Sequence, residues 1–244
     1  MILTLDVERD WERGGTKNLE LLPKIFDLLE DHDSRATLFI VSSIAGEVSE
    51  IGVPKKFEIA SHGKTHIRLD RAEREKVREE IVESKRELEE LFKRKVTGFR
   101  APYFVLPKNS YGILKEAGYI YSSSRAFGIF PGRYVNFSTR PEKIGGVWEF
   151  PVSGFLIFNF GLSWIRLFWP FSRFFLPSVP QVFYFHPTEL LEEAPKLGLI
   201  GKFYGRNRGK KAWEILEEIM ARYGPTESFA YYLRTYSRSS GFER

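Results

Sequence analysis

The sequence predicts a single α/β domain in which parallel strands alternate with helical crossovers. One observation is that short, continuously apolar segments recur along the chain, as in strands that are buried on both faces. Another is that segments with apolar residues at helical spacing separate several of them. A third is that no repeat, low-complexity tract or linker divides the 244 residues, which are enough for one substantial core. We therefore expect one domain over residues 1–244, with a barrel-like sheet.

Seven segments are predicted to be strands. Residues 2–5 are apolar and lead directly into two carboxylates, Asp6 and Glu8. Residues 35–41 have a continuous apolar character, which predicts burial on both faces of a parallel sheet. The remaining predicted strands are short apolar segments at residues 57–60, 96–100, 119–121, 147–152 and 182–185.

The predicted helices are recognised by an apolar stripe or by the residue that ends them. In residues 16–30 the stripe is clear, and Pro23 predicts a bend or a late start. In residues 70–93 an apolar face is opposed by Glu, Lys and Arg, which is typical of a solvated helix surface. Gly118 ends the helix predicted at 107–117. The last helices are predicted at 211–223 and, rich in aromatic residues, at 228–236.

Polar side chains stand at the carboxyl ends of several predicted strands. Asp6 and Glu8 follow the first strand and alternate along it, so they point to the same side. His62, Arg100 and His186 follow the third, fourth and seventh strands. Barrel-type α/β enzymes assemble their active sites at this end of the strands. The sequence therefore predicts one polar site at one mouth of the barrel.

Two of the four histidines, His62 and His66, are four residues apart directly after the third strand. If this segment is helical, their Cβ atoms lie roughly 5–6 Å apart on one face. Two neutral imidazoles at that distance suit a divalent metal that a carboxylate or a water completes. The alternative is a pair of surface or capping histidines. His32, in a loop after a helix, is interpreted as a solvated capping residue.

The composition excludes several classes of function. The chain contains no cysteine, so it has no disulfide, thiolate metal site or cysteine nucleophile. Its net charge of +5 comes from interspersed acids and bases, which does not indicate nucleic-acid binding. The absence of cysteine and of a basic segment before the first apolar residues predicts a cytoplasmic protein.

Aromatic residues make up 16% of the chain, and several of its 22 phenylalanines lie in residues 155–177. Polar residues and proline interrupt this segment, so it does not predict a transmembrane helix. One interpretation is a buried crossover helix. The other is a lip that contacts a lipid-linked sugar or the surface of a membrane.

Five motifs now stand in order along the chain: LDVE, SHGKTH, RAPY, VWEFP and YFHP. Together they resemble the polysaccharide deacetylases, the NodB-homology carbohydrate esterases, over about residues 1–190. The first motif written DVE and the last written HPxE resemble one branch of that family. The resemblance implies a distorted (β/α)₇ barrel, and the count of predicted strands agrees with it.

The resemblance also implies a role for each matching residue at a metal centre. Asp6 matches the catalytic base, and His62 and His66 match the metal-binding histidines. Glu8 would supply the carboxylate ligand, displaced by one position from the adjacent Asp-Asp pair of most members. The implied cofactor is one divalent ion, with Zn²⁺ expected first.

The other implied roles concern proton transfer and charge. Arg100 matches the arginine that orients the base, Tyr103 would contribute its backbone N–H to the oxyanion site, and His186 matches the general acid. Glu149, on the sixth strand, matches the carboxylate that orients this histidine, with a structural ion pair as the alternative. The related branch often has an aspartate where this chain has Ser122, a difference that would affect specificity or rate rather than metal binding.

The function implied is metal-dependent removal of N-acetyl groups from an N-acetylated carbohydrate, free or lipid-linked. One alternative is a related metal-dependent hydrolase of a cyclic amide or ureide. The other is a barrel that binds glycan without turnover. Asp6, Arg100 and His186 favour an enzyme, because binding alone requires neither a base nor an acid.

Overall fold

The structure is a computed structural model that describes residues 1–10, 15–129, 134–178, 181–193 and 203–236. Its strands include all seven predicted segments and three further short ones. Their bounds are β1 Ile2–Val7, β2 Thr37–Ile40, β3 Glu58–Ser61, β4 Gly98–Phe99, β5 Tyr121–Ser122, β6 Glu142–Ile144, β7 Val147–Glu149, β8 Gly154–Phe155, β9 Phe158–Asn159 and β10 Val182–Phe185.

The α-helices of the described residues are distributed along the whole chain between these strands. Their bounds are α1 Leu22–Asp31, α2 Ala45–Ile51, α3 Arg74–Phe92, α4 Ser110–Glu116, α5 Leu162–Leu167, α6 Lys210–Tyr223 and α7 Phe229–Tyr236. Short 3₁₀ turns precede or follow several of them. None of the described helices combines the length and the hydropathy that crossing a bilayer requires.

Eight strands form one sheet in the order β10-β1-β2-β3-β4-β5-β7-β6. All neighbours in it are parallel except β6 and β7, which form an antiparallel hairpin. Backbone hydrogen bonds run from Ser153 to Val182 (3.1 Å) and from Tyr184 to Phe160 (3.4 Å). They connect the chain after β7 to β10, so the sheet curls around an interior. This curled sheet confirms the predicted distorted barrel.

The strands divide the hydrophobic core into two layers, because alternate side chains point to opposite faces. On β1, Leu3, Leu5 and Val7 pack beneath the surrounding helices. Ile2 instead packs in the barrel interior, against a group that is mostly aromatic. That group includes Phe39, Phe104, Tyr121, Phe150, Tyr184 and Phe229.

Helix α7 closes the amino-terminal end of the barrel. Phe229 is fully buried in the interior layer. Its backbone N–H donates to Thr37 Oγ1 (2.9 Å), and the next N–H, of Ala230, donates to Glu58 Oε2 (2.7 Å). Because this end is filled, the polar mouth at the opposite end is the open side of the barrel.

Several boundaries differ from the predicted ones for local reasons. The helix predicted at 16–30 begins as a 3₁₀ turn, and α1 starts at Leu22 with Pro23 in its first turn, where a missing N–H costs little. Helix α2 was not predicted, because seven residues carry too little periodicity. Between β5 and β7 the described residues contain a hairpin rather than a helix, with Gly145 and Gly146 at positive φ in its turn.

Candidate active site

The predicted polar residues meet at the carboxyl ends of the central strands. Asp6 lies near the end of β1, and Glu8 follows that strand by one residue. His62 directly follows β3, and Arg100 directly follows β4. His186 directly follows β10, the neighbour of β1 on its other side. The parallel register therefore places these side chains around one mouth.

Glu8 and His62, together with His66, form a cluster of the type that binds a metal ion. One donor atom from each of Glu8, His62 and His66 lies within 4.8 Å of the others, the only such cluster among the described residues. Glu8 Oε2 is 2.5 Å from His66 Nε2 and 3.5 Å from His62 Nε2. His62 Nδ1 is 2.8 Å from the carbonyl oxygen of Arg100. If Nδ1 carries the proton that this carbonyl accepts, Nε2 is left with a free lone pair facing Glu8.

The segment that brings the two histidines together is a loop, so the helical spacing considered for it is wrong. Gly63 and His66 have positive φ values, 78° and 61°, which no helix contains. The loop nevertheless holds the two imidazole rings 5.1 Å apart. The loop thus brings the two imidazole rings as close together as a helical spacing of four residues would.

The electrostatics of the cluster favour an ionised carboxylate at Glu8. Burial alone would raise the pKa of Glu8. The polar contacts with His62 and His66 and the charge of His186 outweigh it and hold that pKa well below its ordinary value. A carboxylate ligand therefore faces two imidazoles at ordinary pH.

Asp6 is fixed by a buried arginine. Arg100 Nη1 donates to Asp6 Oδ1 (2.7 Å) and to Thr4 Oγ1 (2.9 Å). The other guanidinium nitrogens donate to the backbone carbonyl and the hydroxyl of Ser123, both at 2.9 Å. The guanidinium also lies over the ring of Phe39, 4.2 Å from its centroid. This network holds one oxygen of Asp6 and leaves Oδ2 directed toward His186.

His186 lies beside both carboxylates. Its Nε2 is 3.8 Å from Asp6 Oδ2 and 3.9 Å from Glu8 Oε1. Its Nδ1 is 3.0 Å from Glu189 Oε1, which also accepts a hydrogen bond from the Ser163 hydroxyl. Burial would lower the pKa of His186, but the hydrogen bond to Glu189 and the charges of Glu8, Glu189 and Asp6 raise it to about 9.

The prediction that Glu149 orients His186 is wrong. Glu149 Oε2 accepts a hydrogen bond from the Tyr111 hydroxyl, and Oε1 accepts from the backbone N–H groups of Ser124 and Arg125. Its side chain points to the helix side of β7, because β7 alternates and Trp148 and Phe150 take the interior positions. The carboxylate that contacts His186 is that of Glu189, three residues after the histidine, in the 3₁₀ turn Pro187–Leu190.

Tyr103 lies at the same mouth but touches it through its ring. The ring centroid is 4.8 Å from that of His66, and the residue is exposed. Its φ of 60° places it in a tight turn after β4. The proposed contribution of its backbone N–H stays a prediction.

Sequence reasoning missed Thr4 and Ser123, which hold Arg100, and Glu189, which holds His186. The signal for Glu189 was present, since it is the last residue of the motif HPTE. Ser122 stands where the branch often has aspartate, and its hydroxyl is hydrogen-bonded to that of Ser124 (2.8 Å). The serine that contacts Arg100 is the next residue, Ser123.

A comparison of the sequence with known families decides the assignment. Residues 3–122, from β1 to β5, match the family model described as polysaccharide deacetylase. This part of the chain belongs to the polysaccharide deacetylase family. The match confirms the resemblance drawn from the motifs, although the DVE and HPxE branch stays a prediction. The activity that gives this family its name, deacetylation of a sugar, is hydrolysis of a non-peptide C–N bond. No curated protein sequence matches the chain.

Solved structures of polysaccharide deacetylases share the fold at low identity. A Mycobacterium smegmatis protein assigned to this class is 18% identical, with a TM-score of 0.64, and 98% of this chain and 90% of that chain are covered. A Bordetella bronchiseptica protein assigned as a polysaccharide deacetylase involved in O-antigen biosynthesis is 18% identical, with a TM-score of 0.57 and coverages of 91% and 89%.

A CE4 family pseudoenzyme from Bacillus anthracis is 14% identical, with a TM-score of 0.58. The comparison covers 94% of this chain but only 64% of the pseudoenzyme's length. At these identities the three structures support the fold alone. The chemistry of this chain therefore has to be argued from its own residues.

Proposed function

We propose that this chain is a metal-dependent carbohydrate de-N-acetylase. The observation that carries the proposal is the convergence of two kinds of group at one mouth. Glu8, His62 and His66 form a metal-ligating cluster. The Arg100-bound carboxylate of Asp6 and the Nε2 of His186 lie beside it. Metal ligands, a candidate base and a candidate acid around one opening are the parts that amide hydrolysis requires.

The cluster fits a divalent ion such as Zn²⁺ by its donor chemistry. Two imidazoles and one carboxylate are a set that catalytic zinc sites use, with a position open for water and substrate. The carbonyl of Arg100 faces His62 Nδ1, the arrangement that leaves Nε2 available as a ligand atom. When bound, the ion would polarise the acetyl carbonyl and lower the pKa of a coordinated water.

The protein's own residues supply the proton transfers. Asp6 would accept the proton that the attacking water loses, through the oxygen that Arg100 leaves free. His186, kept protonated by Glu189, would donate a proton to the sugar nitrogen as its bond to the acetyl carbon breaks. The backbone N–H of Tyr103 is proposed to donate to the carbonyl oxygen as negative charge develops there. The products are acetate and the free amine.

The activity test uses the zinc-loaded protein with N-acetylglucosamine oligomers and a cyclic ureide in parallel. We expect enzymatically measured acetate release from the oligomers, abolished by chelator and restored by Zn²⁺. Ring opening of the ureide with no acetate would favour the alternative hydrolase. Saturable binding of the oligomers with no product would favour the barrel that binds glycan without turnover, and either result contradicts the proposal.

We further propose that residues 155–177 bring the protein to a membrane surface where a lipid-linked sugar would be presented. Of the two interpretations of this segment, burial holds for α5, whose Leu162, Ile165 and Leu167 are buried. It does not hold for the 3₁₀ turn Phe171–Phe175 that follows. The location predicted from the sequence, cytoplasmic and peripheral to the membrane, stays a prediction.

The exposed rings support this second proposal. Phe171 and Phe174, three residues apart and thus on one face of the turn, are 73% and 78% exposed. Rings that protrude so far touch little of their own protein, and Arg173 between them is paired with Glu218 (2.9 Å). Protruding aromatic rings fit the interface of a bilayer.

Co-sedimentation with vesicles tests the membrane proposal. Wild type should bind vesicles containing anionic phospholipid, and Phe171→Ser with Phe174→Ser should weaken binding at least about tenfold, since each buried ring contributes roughly 1.5–3 kcal/mol. Leu91→Ser, at another exposed apolar residue on α3, is the matched control and should bind as wild type does. Equal binding by the double variant, or self-association through these rings, would contradict the proposal.

A further inference from the structure

We propose that Glu80 is a positioning residue that holds the loop carrying the two metal-binding histidines. It lies on α3, outside the polar mouth, and its side chain is 0% exposed. The inference rests on the proposed metal-dependent function, because the loop matters for catalysis only if His62 and His66 bind the ion.

Among the described residues, Glu80 makes its hydrogen bonds and ion pairs with the segment between the two histidines and with Lys76. Oε2 accepts hydrogen bonds from the backbone N–H groups of Lys64 and Thr65, both at 2.8 Å. Oε1 accepts a hydrogen bond from the Thr65 hydroxyl (2.5 Å). The ammonium group of Lys76, on the same helix, is 3.7 Å from Oε1. One carboxylate therefore binds three donors from two consecutive loop residues.

The loop needs such an anchor because its backbone conformation is not self-sustaining. Gly63 and His66 both have positive φ, which a histidine adopts only at a cost. Consecutive N–H groups in such a turn converge on one point and form a concave anion site, called a nest. The carboxylate of Glu80 occupies the nest of this loop. Gly63 also leaves room for it, since a Cβ there would lie 3.3 Å from Glu80 Oε2.

The carbonyl groups of the loop are held from the other side. The backbone N–H of Ser42 donates to the Gly63 carbonyl and that of Ser43 to the Lys64 carbonyl, both at 3.0 Å. These bonds fix the loop against the chain after β2, and Glu80 fixes it against α3. The segment between the histidines is therefore held by hydrogen bonds on both sides, and removal of Glu80 abolishes those on the side of α3.

The energetics of burial explain why a carboxylate stands here. An ionised group with no exposed surface loses its hydration, which is unfavourable unless hydrogen bonds replace it. An apolar residue at this position of α3 would pack without that loss but would leave two loop N–H groups without an acceptor. The carboxylate is thus suited to ordering the loop rather than to packing α3. Partners that orient metal ligands in this way affect metal affinity and activity by about 10–100-fold.

The test compares Zn²⁺ affinity, by calorimetric titration of metal-free protein, with amide hydrogen exchange of Lys64 and Thr65. In Glu80→Leu we expect a Zn²⁺ dissociation constant about 10–100-fold higher and faster exchange of both amides. In Glu80→Gln, whose amide oxygen can accept both N–H groups, affinity should stay within about threefold. Glu80→Asp keeps the charge but retracts the carboxylate by one methylene, so it should lie between them and serves if the leucine variant does not fold.

Glu58→Leu is the matched control. Glu58 is a buried carboxylate that also accepts three hydrogen bonds, from Thr37, Tyr121 and Ala230, but at the closed end of the barrel. Its replacement should lower the melting temperature while Zn²⁺ affinity and the exchange of the loop amides stay unchanged. The same unchanged affinity and exchange in Glu80→Leu or Glu80→Asp would overturn the inference.

The two proposals fail in different ways. Wild-type protein that binds no Zn²⁺ would contradict the proposed function, and exchange of the loop amides in metal-free protein would still test whether Glu80 holds the loop. Wild-type protein that binds Zn²⁺ while Glu80→Leu binds it equally well would contradict only the role of Glu80.

Discussion

At the scale of single residues, each reactive side chain at the mouth has a partner that sets its orientation or its charge. Arg100 holds one oxygen of Asp6, and its own carbonyl faces His62. Glu189 contacts Nδ1 of His186, the nitrogen that faces away from Asp6 and Glu8. Because one arginine contacts both the candidate base and a candidate metal ligand, the geometry of these two groups is coupled.

The first prediction separates the base from the metal ligand. Asp6→Asn should lower kcat by about 10²–10⁴ while Zn²⁺ content stays near that of wild type, because the base takes a proton but is not a ligand. Glu8→Ala should lower Zn²⁺ affinity, because it removes the carboxylate of the cluster. Kinetics and metal analysis of the purified variants check both. Loss of metal in Asp6→Asn with full retention in Glu8→Ala would show that the two roles are reversed.

The second prediction concerns pH. The pKa of His186 is raised to about 9, so the protonated acid is present below that pH and is lost as pH rises through it. Glu189→Gln removes a negative charge, lowers this pKa toward the ordinary value of about 6.5, and should move the alkaline fall of kcat/KM to lower pH.

Glu149→Gln is the matched control for this pH effect, since Glu149 contacts Tyr111 and the backbone of Ser124 and Arg125. Its alkaline limb should coincide with that of wild type. A shift in Glu149→Gln and none in Glu189→Gln would restore the role first predicted for Glu149.

At the scale of elements, the short strands of the barrel depend on close packing across the interior. Gly98 on β4 lies beneath the ring of Tyr121 on β5, and a Cβ at residue 98 would lie 2.1 Å from ring atoms. The Tyr121 hydroxyl is in turn bound to Glu58 (2.8 Å), and its ring packs on Phe229 of α7. The ring therefore has little freedom to move away, and the glycine is required by this contact.

The third prediction follows from that contact. Gly98→Ala should lower the free energy of unfolding by about 1–3 kcal/mol or more, because overpacking forces a rigid ring to shift. Gly112→Ala, on α4, has open space at its Cβ and should instead stabilise by about 0.5–1 kcal/mol. Chemical denaturation of both variants measures the difference, and equal stability would contradict the packing argument.

At the scale of the whole molecule, metal binding should couple to folding. The candidate ligands lie directly after β1 and in the loop after β3, so they meet only in the folded chain. A ligand that binds the native state alone at 100 times its dissociation constant stabilises by about 2.7 kcal/mol. For a chain of this length that corresponds to a rise in Tm of about 5–10 °C.

The fourth prediction is this thermal shift. Zn²⁺ should raise Tm by that amount near neutral pH, measured by scanning calorimetry, and chelator should reverse it. The shift should be smaller near pH 5, because imidazole ligands must lose their protons to bind metal. His62→Ala with His66→Ala should show no shift. A rise in Tm of that double variant equal to the rise of wild type would place the metal elsewhere.

Much of this architecture follows from the sequence. The seven parallel strands are predictable because each is a short apolar segment. A strand that is buried on both faces is apolar along its length, whichever strands it pairs with. The convergence of Asp6, His62, Arg100 and His186 followed from their positions at strand ends, since parallel strands bring those ends together. The apolar segments are a local property of the sequence, and the convergence of strand ends is general to parallel α/β folds, so both can be predicted from one sequence.

Only the tertiary structure decided which partner each reactive group has. Glu149 is the last residue of β7 and Glu189 follows β10, and the sequence cannot show that alternation along β7 directs Glu149 away from His186. Likewise, the four-residue spacing of the histidines suggested a helix, whereas a loop with two left-handed residues, held by Glu80 from α3, brings them together. A hydrogen bond is directional and extends about 3 Å, so its partner depends on side-chain orientation and long-range register, which only the folded chain determines.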